Sequence, residues 1–147
     1  MAVTGGQRPP DRVRPHAIRA SDDMDYEALR RAVADDGAFP LEAAETYIVA
    51  VIATLEARLS FTEVSGLEAE LPTVLRDILH REPILDLPGM DEKELFARVR
   101  GRLRVTTEEA EVITRVVLRA LRASLSATEA DAIDADLSPT LKTLWRD

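Results

Sequence analysis

The chain has 147 residues, close to the size of one ordinary domain, with 46% hydrophobic and 31% charged residues. It can therefore bury a core without staples and is too apolar to be disordered along most of its length. No cysteine is present, His16 and His80 are the two histidines, and the formal charge is −8. These features exclude disulfides, thiol chemistry and thiolate zinc sites, and disfavour nonspecific nucleic-acid binding. No apolar run approaches the ~20 residues of a membrane span, and Met1 to Arg19 lacks the apolar stretch of a secretory signal. A soluble, cytoplasmic protein without membrane association is expected.

Residues 1–20 carry Gly5, Gly6, Pro9, Pro10 and Pro15 together with Arg8, Arg12, Arg14 and Arg19, and show no apolar period that could pack. A flexible basic arm is expected there, followed by a single helical domain over 21–147. The acidic cluster Ser21, Asp22, Asp23 and Asp25 suits a helix start, Tyr26, Leu29 and Val33 follow at helical spacing, and Gly37 reads as the stop. Pro40 then opens a longer helix whose apolar residues, Leu41, Ala44, Tyr47, Ile48, Val51, Ile52, Leu55 and Leu59, lay a broad stripe on one face. Ser60 with Glu63 fits a reciprocal capping box, and Val64, Leu67 and Leu71 continue to the break at Pro72. Leu75, Ile78 and Leu79 predict a short helix after it.

These four helices recur. Sliding the chain along itself without a gap places Leu29 on Leu95, Val33 on Val99, Ala44 on Ala110, Val51 on Val117, Leu55 on Leu121 and Leu59 on Leu125. The same shift superposes Ser60 on Ser126, Thr62 on Thr128, Glu63 on Glu129, Leu71 on Leu137 and Leu75 on Leu141. Core positions and cap recur together, as in a duplicated unit. The expected fold is all-α, a helical bundle of two tandem four-helix repeats, about 24–79 and 91–145, sharing one core. The connector over 80–90 turns at Pro88-Gly89, and Asp91 with Glu94 caps the next helix. Ala97 to Val105 alternates arginine with small or apolar residues, a strand-like period. Leu95, Phe96, Val99 and Leu103 nevertheless share a helical face, so helix is the expectation there.

The twofold pattern of a long helix, then Leu59-Ser60 with Thr62-Glu63, then Leu71-Pro72 and Leu75 with Leu79, resembles the bacterial family called domain of unknown function 2267. The second repeat departs from it with Leu137, Ser138 and Pro139, which moves the proline one place and puts Ser138 at a favourable N-cap position. The resemblance implies an all-α protein and supplies no activity and no catalytic residues.

Chemistry-bearing patterns are sparse. His80 beside Arg81 reads as a helix-end residue facing water. Asp131, Asp134 and Asp136 lack the alternate positions, turn glycine and distal glutamate of a calcium loop, and read as a solvated acidic face. Capping accounts for Ser60 and Ser126, no serine sits in a glycine elbow, and no phosphate loop is present. No catalytic constellation, metal site or cofactor is expected.

Charge distribution stands above this background. Residues 95–125 hold seven arginines against three glutamates, a net +4, whereas the matching stretch 29–59 is −2. Arg115, Arg119 and Arg122 fall at helical spacing opposite Ile113, Val117 and Leu121. Arg98, Arg102, Arg115, Arg119 and Arg122 are the candidate partner-binding residues, set against the plainer reading that they solvate a helix and pair with nearby glutamates. The expected function is a non-catalytic interaction or regulatory module binding another protein, or a second copy, through this basic face. Competing readings are a nucleic-acid-associated protein using the arm and the stripe, and an enzyme with an unrecognised carboxylate site. With no Asn and one Gln, little is available for base readout, so protein outranks nucleic acid.

Overall fold

A computed structural model describes residues 25–83 and 85–147, and the expected basic arm lies outside them. Among the described residues the chain is all-α, with eight helices and no strand. Helix α1 (Asp25–Gly37) is followed by α2 (Leu41–Arg58), α3 (Phe61–Glu70) and α4 (Thr73–Leu79). After the connector come α5 (Glu92–Leu103), α6 (Thr107–Ser124), α7 (Ala127–Asp136) and α8 (Pro139–Arg146). The shift that superposes the two halves of the sequence also lays α2 on α6 and α3 on α7, end for end. The arginine-rich alternation is helical to Leu103, because Leu95, Phe96 and Val99 are buried together and only a helix puts them on one side.

The long helices α2 and α6 pack against each other and against α5, α4 lies on α2, and α8 lies on α6 with α7 and α5 as neighbours. Ile48, Val51, Ile52 and Leu55 meet Ala110, Val117 and Leu121 in one continuous core that also takes in Leu67, Ile133, Leu75 and Leu141. No single described helix is long and apolar enough to cross a membrane, and most of the apolar side chains of α2 are spent in this core. At the rim, the Tyr26 hydroxyl donates to Glu45 Oε1 at 2.6 Å, and burial with that carboxylate beside it holds the phenol proton well above its usual range.

The cap expected at Ser60-Glu63 forms by halves. Ser60 Oγ accepts from Glu63 N at 3.3 Å, yet the N–H of Ser60 goes to Asp136 Oδ2 at 2.8 Å and not to Glu63. At the matching position Ser126 N donates to Glu70 Oε1 at 2.8 Å and Ser126 Oγ to Glu70 Oε2 at 2.6 Å. The last residue of each short helix thus caps the other, which fixes α3 and α7 antiparallel and puts each carboxylate at a helix N-terminus that favours it. A complete capping box, with both reciprocal bonds inside one helix, occurs at Thr106 and Glu109, a pair outside the sequence expectations. Ser138 occupies the N-cap of α8, but its hydroxyl makes no cap bond and is buried without a partner among the described residues.

Helix α1 ends at Gly37, where the sequence places its stop. The left-handed residue is the next one, Ala38 (φ 55°), with Phe39 N donating to Ala34 O and Ala38 N to Asp35 O. A Cβ at position 37 would lie 2.1 Å from the Phe39 ring, so a larger residue there would push that ring aside. Arg104, the counterpart of Ala38 in the second half, ends α5 with the same left-handed turn (φ 59°). A side chain in this conformation costs about 1–2 kcal/mol that glycine avoids. Ala38→Gly and Arg104→Gly are therefore each expected to raise stability, by about 0.5–1 kcal/mol, as read from the shift in chemical-denaturation midpoint at unchanged slope.

Candidate functional site

The five arginines singled out by charge do not form one free face. Arg98 Nε donates to Glu94 Oε2 at 2.9 Å, and Arg102 pairs with Glu82 of the connector. Arg115 Nη1 donates to Asp147 Oδ2 at 2.9 Å while its guanidinium lies 5.8 Å from the centre of the Phe96 ring. Arg119 Nε donates to Asp36 Oδ2 of α1, also at 2.9 Å. Four of the five are thus partly neutralised within the chain. Arg122 has no ion-pair partner among the described residues.

Arg122 also lines a groove of about 500 Å³ between α6, α7 and α8. Ala123, Ala127 and Ala130 leave this space open because their side chains end at Cβ, and Trp145 walls it with its Nε1 fixed to Ala130 O at 3.1 Å. Arg119 and Arg146 line it as well, as do Asp131 and Asp134. Arg146 grips Asp134 through two bonds of 2.8 Å, and that pairing holds the Asp134 carboxyl below its ordinary range. Apolar floor, aromatic wall and one unpaired guanidinium suit an acidic group carried on a small apolar segment. A second groove, about 360 Å³, runs between Ala28 and Ala32 of α1 and Ala120 and Ala123 of α6, and is edged by Asp25 and Glu70.

The matching positions of the first half hold different chemistry. Glu56 stands in place of Arg122, Glu68 of Asp134, His80 of Arg146, and Phe61 of Ala127. His80 Nε2 lies 2.7 Å from Glu68 Oε1, so the two matched carboxylates, Glu68 and Asp134, each hold the basic residue that follows at the end of the next short helix. The Glu56 carboxyl is hydrogen-bonded to Glu68 and its pKa is pushed up to about 9, by burial first and then by that neighbouring carboxyl. Glu56 Oε2 has no partner among the described residues. The sequence predicts His80 as facing water only; its ring is exposed, but it is tied to a carboxylate twelve positions back, a pairing that no local spacing signals.

Between α3 and α7, Glu129 N donates to Ser126 Oγ at 3.2 Å, but Glu70 takes the Ser126 N–H that the Glu129 carboxylate would otherwise accept, and burial, then Glu63 and Glu70, raise the Glu129 pKa. No group of three or more metal-ligating side chains occurs among the described residues. The three aspartates of the calcium-like run have separate tasks: Asp134 holds Arg146, Asp136 caps Ser60, and Asp131 edges the groove.

Residues 26–144 match the model of an uncharacterised conserved protein family, domain of unknown function 2267 (DUF2267). The chain belongs to the DUF2267 family. The matched span takes in the eight described helices of this DUF2267 protein but for a residue or two at each end, together with the Glu56, Glu68 and His80 cluster and the groove apart from Trp145 and Arg146. No match to a curated protein is found.

Proposed function

We propose that this DUF2267 protein is a non-catalytic interaction module that docks an acidic protein segment in the groove between α6, α7 and α8. The observation that carries the reading is Arg122, a guanidinium without an ion-pair partner among the described residues, set over an alanine floor beside Trp145. The remaining arginines of the basic face can exchange their own carboxylates for those of a docked segment, because exposed pairs are worth only about 0–1 kcal/mol and open readily. The Glu56, Glu68 and His80 cluster favours the enzyme alternative more than any feature of the sequence did. Neither of the two grooves is lined by these residues, however, so the groove beside Arg122 is favoured as the binding surface.

A fluorescent peptide of alternating glutamate and leucine is the probe. Binding that weakens as salt rises, and weakens roughly tenfold or more in Arg122→Gln, is the expected result. Equal affinity in Arg122→Gln and the parent, or binding indifferent to salt, overturns it. Replacing Arg115 and Arg119 by Gln should instead act mainly on the association rate, since charges at a rim steer encounter.

A further inference from the structure

The first half of the chain presents a feature that fits the groove of the second. Phe61, the first residue of α3, is 86% exposed, the most exposed of the large apolar side chains described. Its counterpart Ala127 opens α7 and lines the groove. One half therefore carries an aromatic knob where the other carries a space. Charge follows the same division. Beside the knob, Asp136 Oδ2 caps Ser60 and Glu63 follows on the same helix turn, whereas the groove carries three arginines against Asp131 and Asp134, and Arg122 is the one of them without an ion-pair partner among the described residues. From Glu63 to Glu94 nine acidic residues stand against three basic ones, while residues 95–125 are net +4.

We infer that a second copy of this chain occupies the groove, with its Phe61 seated on the alanine floor and its neighbouring carboxylates facing Arg122. This rests on the groove being a docking surface and names its partner. Aromatic and arginine side chains dominate protein interfaces once a partner buries them, and here an exposed Phe61 and an unpaired Arg122 stand on complementary surfaces of a single chain. The contact is heterologous, knob to groove, so removing either half from different molecules leaves a complementary pair.

Sedimentation of the full chain over a range of concentrations tests it. The parent protein should self-associate, less so at high salt. Phe61→Ala and Arg122→Glu should each weaken self-association roughly tenfold or more. Mixing the two variants should restore a one-to-one complex, because the first keeps its groove and the second its knob. Circular dichroism melts matching the parent show that both variants fold, as expected for side chains on the surface. A parent that stays monomeric at all concentrations and at low salt, or a Phe61→Ala variant that associates like the parent, overturns the inference. Binding of the glutamate–leucine peptide separates the two levels. A monomer whose peptide binding depends on Arg122 loses only the second copy as partner, whereas a chain that neither binds peptide nor self-associates loses the docking groove as well.

Discussion

Glu56→Gln is expected to make the protein more stable at neutral pH, by about 2–3 kcal/mol, and to flatten the pH dependence of its stability. In the folded state the Glu56 carboxyl keeps its proton up to about 9, against an ordinary value of 4.5, because burial and the adjacent Glu68 both penalise the anion. Between those two values the folded chain binds one proton more than the unfolded chain. Stability therefore declines as pH rises across that window, by up to about 1.4 kcal/mol per unit, a slope reduced by the partial exposure of the carboxyl. The contribution is intact below about 4.5 and exhausted above about 9. Glutamine keeps an N–H donor for Glu68 and has no charge to lose, so its stability should be level through the window. Glu68→Gln should relieve only part of the slope, burial being the larger cause. Denaturant unfolding at several pH values checks both variants, and a parent protein of constant stability from acid to pH about 9 would show that Glu56 ionises in the folded state.

Leu55→Ala and Leu121→Ala should each cost about 2–5 kcal/mol, with the upper end reached where the cavity cannot collapse. Both side chains are essentially inaccessible, at 1% and 0%, and hold matching places on the facing helices α2 and α6. They share one core, so the double variant should depart from additivity if the two cavities merge and add simply if they stay apart. Parallel loss of the denaturation midpoint for the two single variants is the expected measurement. A loss under about 1 kcal/mol at either site would mean that the long helices are not the centre of the fold.

The sequence by itself determined the helices, most of their ends and the membership of the core, because these are set locally. Burial on one helix face demands a period near 3.6 residues, and Ile48, Val51, Ile52 and Leu55 show it without reference to any other segment. Cap chemistry is likewise local at Asp91 and Glu94, which form the bond their spacing predicts, at 2.9 Å. Charge counting found the arginines but not their state. Arg119 meets an aspartate 83 positions away and Arg102 a glutamate 20 away, and no pattern along the chain foretells which guanidinium is left over. The crossed caps of Ser60 and Ser126 were hidden for the same reason: the partner three residues on is the local expectation, and only the antiparallel docking of α3 and α7 brings Asp136 and Glu70 close enough to displace it. The raised pKa of Glu56 likewise belongs to the tertiary structure, since it depends on how much water the assembled helices leave around the Glu56 and Glu68 carboxyls.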